Sequence, residues 1–551
     1  MPLKSSENNL RRIGDIVEQN AREFRDRVAL AYYEYGFKNT FPEFRDICRQ
    51  TAKGLMALGV KRGDHIAVWA NNLPQWVYLQ FGSAMAGAVM VTVNTNFRAY
   101  ELEYLLNQSD ATTLIMTQGV REPYEYLQVV RQVCPEVDSC SPGGLASEKL
   151  PFLKNIVHLG DEDIAGMYNW NNLLELGESI PDAELDERAE SLEPDDVIMM
   201  QYTSGTTGYP KGVMLTHSNL IGNAISMAET MALGPDDSLC IPVPFFHCFG
   251  CVIGTMCCTV SGATMAPVTG FNAETVLETI DSLKCTAVHG VPTMFIAMLE
   301  AMDNKAYDTS QLRTGVMAGS TCPVEVMKGV MEKMGAKELT IVYGQTESSP
   351  GITQTRRHDS MRIRTETVGR ALPNVEVKIV DPESGETLPA GQTGELCSRG
   401  YHIMKGYYKM PEKTRQAIDE DGWLHTGDLA SMDEEGNCTI QGRLKDMIIR
   451  GGENIYPREI EEFLYTHPGI QDVQVVGIAD KKYGEEVAAF IRPRNGDSLS
   501  EDEIKKFCKD RISFHKIPRY IYFVDQFPTT ASGKIQKYKL REMASNNPSD
   551  T

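Results

Sequence analysis

Short apolar runs alternate with segments of helical periodicity along the first part of the chain. Apolar runs occupy residues 66–70, 88–93 and 112–116, and residues 75–86 repeat apolar positions at helical spacing. Strands that alternate with helices are typical of α/β architecture with largely parallel sheets. The pattern therefore predicts a large N-terminal α/β domain with mostly parallel sheets.

Three further apolar runs, at 197–202, 315–318 and 339–343, end in small or polar residues. Ligands of parallel sheets bind beyond the carboxyl ends of the strands. The loops after Tyr202, Ala318 and Tyr343 are therefore the predicted place of a ligand site.

The hydrophobic pattern changes near Gly442. A helix is predicted from Pro457, with Ile460, Phe463 and Leu464 on one face. Strands at 473–478, 487–491 and 520–524 and a helix at 501–512 complete a small α+β unit. We predict two domains, a large one over residues 1–442 and a small one over residues 443–551, because 551 residues exceed one ordinary core.

Composition and charge restrict the class of protein. Hydrophobic residues make up 42% and charged residues 23%, which is ordinary for a globular protein. The formal net charge is −21, and an acidic surface repels phosphate backbones. Nucleic acid is therefore not an expected partner, whereas a local site could still hold a nucleotide.

Residues 238–273 contain no charged side chain, which makes a membrane span worth testing. Prolines and glycines interrupt the segment, so a buried strand, loop and helix is the preferred interpretation and no transmembrane segment is expected. The N-terminal residues mix basic and acidic side chains without an apolar core, unlike a secretory signal. The expected location is the cytoplasm.

Thirteen cysteines are scattered along the chain, as in proteins of reducing compartments. Cys248 and Cys251 have the spacing of a redox or zinc motif. A zinc site would need a second ligand pair, and a redox site would need a thioredoxin-like context, so neither role is favoured.

The strongest local signal is Tyr-Thr-Ser-Gly-Thr-Thr-Gly-Tyr-Pro-Lys-Gly at residues 202–212. Glycines allow close backbone approach to an anion, and hydroxyls, backbone N–H groups and Lys211 supply donors. It is not a Walker A loop, because Pro210 stands where that motif needs its second glycine. The alternative is a flexible Ser/Gly linker, which does not explain the strand that runs directly into the loop.

Seven motifs in order resemble the adenylate-forming superfamily, which contains acyl-CoA synthetases, luciferases and peptide-synthetase adenylation domains. The phosphate loop is followed by Pro-Phe-Phe-His-Cys-Phe-Gly (244–250), Ala-Gly-Ser (318–320), Tyr-Gly-Gln-Thr-Glu (343–347), His-Thr-Gly-Asp (425–428), Gly-Arg-Leu-Lys-Asp (442–446) with Arg-Gly-Gly-Glu-Asn-Ile-Tyr-Pro (450–457), and Pro-Thr-Thr-Ala-Ser-Gly-Lys (528–534). The stretch 445–461 is most similar to fatty acyl-CoA ligases.

The resemblance implies ATP, Mg²⁺ and coenzyme A as cofactors, with nucleotide and metal contacts spread over these motifs. Glu347 and Thr206 would hold Mg²⁺, an ion that prefers hard oxygen ligands. The implied cofactor-binding residues are Thr203, Ser204, Gly205, Thr206, Thr207, Gly208, Lys211, Gly319, Ser320, Tyr343, Gly344, Gln345, Thr346, Asp428, Arg443, Gly451 and Gly452. Of these, Tyr343 would face adenine, Asp428 the ribose hydroxyls, and Arg443 the ribose or a phosphate.

The resemblance also implies two steps and a domain rotation. Lys534 would bridge the substrate carboxylate and the α-phosphate in the first step, with Thr206, Glu347 and His247 as further catalytic residues. Rotation about a hinge at Lys445 would then bring Gly451 and Gly452 to the site, where pantetheine could pass close to the backbone.

The nature of the acid is less closely defined. Acetate-dedicated enzymes of the family resemble one another in having Trp after the motif tyrosine, where this chain has Gly344, so an acid larger than acetate is expected. The prediction is an AMP-forming acyl-CoA synthetase for short- to medium-chain fatty acids, acting as a monomer or homodimer. The alternatives are a standalone enzyme that loads an acyl carrier protein, one that runs in reverse to make ATP, and an inactive nucleotide- or acyl-binding protein.

Overall fold

The computed structural model describes residues 11–119, 125–203, 210–319, 322–450, 453–480, 483–494, 499–509, 511–530 and 535–545. The strands in these ranges are β1 (Val28–Tyr32), β2 (Phe37–Thr40), β3 (His65–Trp69), β4 (Val89–Thr92), β5 (Thr113–Met116), β6 (Asn155–His158), β7 (Tyr168–Asn169), β8 (Val197–Thr203), β9 (Lys211–Thr216), β10 (Ser238–Ile241), β11 (Thr264–Pro267), β12 (Ala287–Gly290), β13 (Thr314–Met317), β14 (Glu338–Gly344), β15 (Gly351–Gln354), β16 (Arg370–Ala371), β17 (Val375–Val380), β18 (Thr393–Gly400), β19 (Gly406–Tyr407), β20 (Leu424–Met432), β21 (Cys438–Arg443), β22 (Ile448–Arg450), β23 (Glu453–Ile455), β24 (Ile470–Asp480), β25 (Gly484–Pro493) and β26 (Tyr520–Phe523).

The helices of the described ranges are α1 (Ile13–Glu23), α2 (Phe41–Ala57), α3 (Pro74–Ala86), α4 (Ala99–Gln108), α5 (Glu125–Val133), α6 (Trp170–Gly177), α7 (Asp182–Glu190), α8 (His217–Met231), α9 (Cys257–Ser261), α10 (Ala273–Leu283), α11 (Pro292–Asn304), α12 (Val324–Gly329), α13 (Met361–Glu366), α14 (Pro411–Ala417), α15 (Pro457–Tyr465), α16 (Glu501–Cys508) and α17 (Lys537–Ser545). Short 3-10 turns lie at Pro135–Ser139, Thr346–Ser348, Leu444–Asp446 and Phe514–Lys516, and π-helical turns lie at Phe249–Met256 and Val330–Met334.

Two large sheets form the centre of the N-terminal part. The first has the order β16-β15-β14-β13-β12-β10-β11-β1-β2, and the second has the order β19-β9-β8-β4-β3-β5-β6-β7. The pairs from β14 to β1 in the first sheet and from β8 to β7 in the second are parallel. The predicted α/β fold with mostly parallel sheets is confirmed.

Buried helices cover these sheets. Helix α3 is buried along nearly its whole length, which fits its almost uniformly apolar sequence. Thr40 caps the N-terminus of helix α2. Its side chain accepts a hydrogen bond from the Glu43 N–H, and the Glu43 carboxylate accepts one from the Thr40 N–H. This reciprocal cap satisfies N–H groups that a helix start leaves free, which is why the helix begins there.

Residues 238–273 fold as strand β10, a π-helical turn, helix α9 and strand β11. The predicted strand, loop and helix is therefore present, with β11 as an additional strand that pairs in parallel with β10 and β1. Within the described ranges, every helix is too short or too polar to cross a membrane.

A third sheet, which the sequence pattern did not indicate, follows the two large ones. Strands β17, β18, β20 and β21 pair in that order, and every pair is antiparallel. It carries the His-Thr-Gly-Asp motif on β20 and ends with Arg443 on β21.

The remaining described strands form a separate, mostly antiparallel sheet of order β23-β22-β25-β24, with β26 parallel to β25. Helix α15 packs its apolar face on this sheet, with Ile460 and Leu464 in the same buried cluster as Val473 and Val487. The helix predicted at 501–512 ends earlier, at Cys508. The domain boundary at 442/443 stays a prediction.

Candidate active site

The mouth of the predicted phosphate loop is the end of an antiparallel hairpin. Strand β8 leads into the loop and β9 leads out, with Thr203 opposite Lys211 in the register. The hairpin therefore holds both ends of the loop together. Ser204, Gly205, Thr206, Thr207 and Gly208 lie outside the described residues.

Side chains from neighbouring elements hold this hairpin. The Tyr202 hydroxyl donates to Gln108 Oε1, and Gln108 Nε2 donates to the Tyr408 carbonyl at 3.0 Å. The Tyr104 hydroxyl donates to the Pro210 carbonyl at 3.1 Å. Helix α4 thus fixes the residues on either side of the loop, a role that the sequence pattern did not indicate.

Glu347 lies in the 3-10 turn that follows strand β14, facing the mouth of the hairpin. Its Oε1 accepts a hydrogen bond from the Tyr407 hydroxyl at 2.8 Å and a long one from Thr203 Oγ1 at 3.5 Å. Its backbone carbonyl accepts from the Met404 N–H at 2.9 Å. Within the described part of the chain both side-chain bonds fall on Oε1, so Oε2 is the oxygen available to a metal ion, and a carboxylate suits Mg²⁺.

Lys211 lies over the face of the Tyr407 ring. Its Nζ is 4.0 Å from the ring centroid, a cation–π arrangement. Burial lowers the pKa of Lys211, with Lys413 adding to this effect and Glu347 opposing it. The structure thus brings Thr203, Lys211 and Glu347 together.

Tyr343, Asp428 and Arg443 form a second group. The Tyr343 hydroxyl donates to Asp428 Oδ2 at 2.8 Å, and Arg443 Nε lies 3.5 Å from Asp428 Oδ1. Asp428 and Arg443 are cross-strand partners on β20 and β21. Burial and the neighbouring Asp428 carboxylate raise the pKa of Tyr343, so its hydroxyl remains a donor at neutral pH.

Glu395 on β18 supports the irregular part of strand β20 that precedes Asp428. Its Oε1 accepts from the Gly427 N–H at 2.9 Å, and its Oε2 lies 2.8 Å from His425 Nδ1. Gly427 has a φ of +70°, a left-handed conformation that favours glycine. Sequence reasoning missed Glu395, because its strand position gives no sign of a partner on β20.

Gly344 ends strand β14 of the first sheet, and Gly319 follows the neighbouring strand β13. A Cβ at Gly344 would lie 1.9 Å from the Pro350 carbonyl oxygen, so the backbone at the start of β15 leaves no room for a side chain. Gly319 has a φ of +91°, and a Cβ there would lie 3.0 Å from Val291 Cγ1. Ser320 lies outside the described residues.

Gln345 and Thr346 continue from Gly344 toward Glu347. The Gln345 N–H donates to the Pro350 carbonyl at 3.0 Å, and Thr346 Oγ1 lies 3.8 Å from the buried Cys248 thiol. This contact places the Pro-Phe-Phe-His-Cys-Phe-Gly segment beside the motif that carries Glu347.

His247 precedes the π-helical turn. Its Nδ1 accepts from the Phe249 N–H at 3.1 Å and lies 3.7 Å from Cys248 Sγ. In the neutral ring the proton is therefore on Nε2. These contacts position the start of the turn, and a catalytic role for His247 stays a prediction.

Lys445 falls in the 3-10 turn between the antiparallel third sheet and strand β22. Arg458 of the C-terminal sheet unit donates across this junction to the Ile440 carbonyl at 2.7 Å. Lys534, Gly451 and Gly452 lie outside the described residues, and their roles, like the hinge at Lys445, stay predictions.

A family model described as AMP-binding enzyme matches residues 17–408, and a model described as AMP-binding enzyme C-terminal domain matches residues 459–534. The chain therefore belongs to the AMP-binding enzyme family, the adenylate-forming superfamily that its motifs resemble.

Individual relatives define the class further. The chain is 58% identical over 530 residues to the "Putative acyl-CoA synthetase YngI" of Bacillus subtilis, covering 96% of each chain. It is 41% identical over 544 residues to the "Medium-chain acyl-CoA ligase ACSF2, mitochondrial" of Danio rerio, covering 98% of this chain and 89% of that one. The predicted enzyme class, an acyl-CoA ligase, is confirmed. The names of these relatives do not support the alternatives, such as a carrier-protein loader or an enzyme that makes ATP.

A solved structure agrees with this assignment. The crystal structure of the anthranilate CoA ligase AuaEII in complex with anthranoyl-AMP is 28% identical, with a TM-score of 0.85, and the match covers 98% of this chain and 99% of that one.

Proposed function

We propose that the protein is an AMP-forming acyl-CoA synthetase that activates medium-chain carboxylic acids with ATP, Mg²⁺ and coenzyme A. The observation that carries the proposal is the convergence of Glu347, Thr203 and Lys211 at the hairpin mouth. The relative named as a medium-chain acyl-CoA ligase supports the class of acid.

The chemistry requires two anions to meet. A carboxylate is a poor acyl donor, and attack on the α-phosphate of ATP converts it into a mixed anhydride whose leaving group is AMP. Catalysis depends on positioning the reactants and neutralising their charge. Lys211 and the hairpin loop suit the phosphates, and Glu347 with the loop suits Mg²⁺, which would neutralise phosphate charge when bound.

The nucleoside end of ATP fits the second group of residues. The Tyr343 ring offers an apolar face to adenine, and Asp428 offers carboxylate oxygens to the ribose hydroxyls. Lys534 would approach the carboxylate and α-phosphate, and the Gly451–Gly452 backbone would admit pantetheine after the domain rotation. These roles rest on the family motifs.

The first experiment measures AMP release with ATP and Mg²⁺ across straight-chain acids from acetate to palmitate, plus benzoate, with and without coenzyme A. We expect CoA-dependent release with its maximum at a medium-chain acid, and loss of release when EDTA removes Mg²⁺. Pyrophosphate exchange into ATP that is independent of coenzyme A would instead favour a carrier-protein loader, and no turnover with any acid would favour an inactive binder.

The proposal includes a cellular compartment and an oligomeric state for the enzyme. All thirteen cysteines are free, and twelve of them are buried, which suits a reducing compartment such as the cytoplasm. We expect a monomer or a homodimer, and light scattering coupled to size-exclusion chromatography measures which of them forms.

A further inference from the structure

Tyr407 lies between the two charged groups of the hairpin mouth. Its hydroxyl donates to Glu347 Oε1 at 2.8 Å, and its ring faces Lys211 Nζ at 4.0 Å from the centroid. The side chain is 5% exposed, and strand β19 pairs it with Val213 of β9. Tyr407 thus contacts both Glu347, the proposed Mg²⁺ ligand, and Lys211, the proposed phosphate-binding lysine.

We propose that Tyr407 is a positioning residue that orients Glu347 for the metal ion and Lys211 for the phosphates of ATP. The proposal rests on the proposed function and adds to it a residue outside the family motifs from which the candidate site was predicted.

The hydroxyl restricts the carboxylate. Because Oε1 accepts from Tyr407, the Glu347 carboxylate cannot rotate freely, and Oε2 is directed away from this bond. The Met404 N–H holds the Glu347 backbone carbonyl at 2.9 Å, so residues of one short segment fix both the backbone and the side chain of Glu347. A carboxylate that is already held in place loses less conformational freedom when it binds a metal ion.

The ring restricts the lysine. A cation above an aromatic face is attracted by the ring quadrupole, most strongly where water is partly excluded.

The neighbouring Tyr408 provides a matched control. Tyr408 directly follows strand β19, and its hydroxyl donates to Asp110 Oδ2 at 2.9 Å instead of to Glu347. Tyr407→Phe and Tyr408→Phe therefore each remove a phenol that donates to a carboxylate, at adjacent positions, but only the first of these contacts reaches the proposed site.

The test measures ATP binding by calorimetry, with and without Mg²⁺, in the full-length chain. We expect Tyr407→Phe to raise the Mg²⁺ concentration needed for tight ATP binding roughly tenfold, the size of a lost hydrogen bond to a charged group, while metal-free ATP binding stays unchanged. Tyr407→Leu, which also removes the ring, should weaken metal-free ATP binding as well. Tyr408→Phe should change neither value.

A double-mutant cycle checks that the effect passes through Glu347. In a Glu347→Gln background, Tyr407→Phe should have a much smaller effect on the Mg²⁺ requirement than in the wild type. Equal effects in both backgrounds, an unchanged Mg²⁺ requirement in Tyr407→Phe, or an equal shift in Tyr408→Phe would each overturn the proposal.

The two proposals fail in different ways. If the wild-type protein neither binds ATP nor releases AMP, the proposed function fails and the role of Tyr407 fails with it. If the wild type does both and Tyr407→Phe retains the wild-type Mg²⁺ requirement, only the positioning role is wrong.

Discussion

The Tyr343 hydroxyl donates a 2.8 Å hydrogen bond to Asp428 Oδ2, and this bond joins two sheets. Tyr343 lies in strand β14 of the first large sheet, and Asp428 lies in strand β20 of the antiparallel third sheet. The residue predicted to face adenine and the residue predicted to hold the ribose are therefore one hydrogen-bonded unit, with Arg443 on the other carboxylate oxygen.

The Tyr343–Asp428 bond predicts a selective effect on ATP. Tyr343→Phe keeps the aromatic face and removes the donor, so Asp428 Oδ2 loses this hydrogen bond. We expect the KM for ATP to rise about tenfold or more, because a hydrogen bond to a charged group contributes about 1.5–3 kcal/mol and about 1.4 kcal/mol corresponds to a factor of ten. Steady-state kinetics with varied ATP measure the change.

Tyr401 supplies the control for this variant. Its hydroxyl lies 2.7 Å from Ser226 Oγ, in contacts that do not include Tyr343 or Asp428. Tyr401→Phe should leave the KM for ATP unchanged. An unchanged KM in Tyr343→Phe would show that the hydroxyl does not position Asp428.

Glu395 predicts a linked loss of stability and ATP affinity. Glu395→Ala removes the acceptor of the Gly427 N–H and the partner of His425, and a polar group left unsatisfied costs about 1–3 kcal/mol. Because Gly427 precedes Asp428, the melting temperature should fall and the KM for ATP should rise together. Calorimetry and ATP kinetics on the same preparation check both effects.

The matched change for Glu395 is Glu376→Ala on the same sheet. Glu376 forms an exposed ion pair with Arg399 at 2.9 Å, and exposed pairs contribute about 0–1 kcal/mol. This variant should change neither quantity appreciably. A Glu395→Ala protein with wild-type ATP kinetics would contradict the positioning role.

Gly344 predicts a packing defect upon substitution. A Cβ at this position would lie 1.9 Å from the Pro350 carbonyl oxygen, which forces the β14–β15 pair apart. Gly344→Ala should lower the melting temperature and the activity with every acid. Gly344→Trp should likewise lose activity and not become an acetate enzyme.

Gly270→Ala is the control for Gly344, since a Cβ at Gly270 would have no neighbour within 4 Å. Its melting temperature should stay close to that of the wild type. A well-folded Gly344→Trp protein with raised acetate activity would show instead that the position controls acid size alone.

The sequence predicted those parts of the fold that have a local signature. Apolar runs located β3, β4 and β14 to within one or two residues, because strands buried on both faces are apolar throughout. The resemblance to the adenylate-forming superfamily also grouped Glu347, Tyr343 and Asp428 as one candidate site. The structure brings Glu347 to the hairpin mouth and joins Tyr343 to Asp428.

The parts that were missed depend on contacts between distant segments. Strands β17, β18, β20 and β21 mix buried positions with half-buried ones without regular alternation, so their pairing into a third sheet has no strong pattern in the chain. Tyr407 and Glu395 become site residues only through partners on other elements, 60 and 32 positions away along the chain. A tyrosine or glutamate in a strand carries no sign of such a partner.

Buried histidines predict a loss of stability at acid pH. Burial lowers the pKa of His289 to about 4 and that of His402 to about 3. The Val316 N–H donates to His289 Nδ1 at 3.1 Å, and His289 Nε2 lies 3.0 Å from the Ile253 carbonyl, so the neutral ring is already fully bonded. Protonation of His289 would put a hydrogen on Nδ1, where it would face the Val316 N–H donor.

The sign of the effect follows from proton binding in the two states. The unfolded chain protonates its histidines near pH 6.5, whereas the folded chain holds His289 neutral until about pH 4. The stability contributed by neutral His289 is therefore complete above about pH 6.5, falls as the pH drops toward about 4, and changes no further below that value. For His289 the loss is on the order of 3 kcal/mol.

Calorimetric melting between about pH 7.5 and about pH 4 measures this dependence, and buffers of different ionisation enthalpy report the protons taken up on unfolding. His289→Asn should melt lower than the wild type at neutral pH, because it leaves a cavity, yet its melting temperature should depend less on pH. The exposed His358 is the control, since His358→Asn leaves this buried ring in place and should keep the wild-type slope. A His289→Asn protein with the full wild-type pH slope would show that the acid sensitivity arises elsewhere, and proton uptake unchanged by the substitution would lead to the same conclusion.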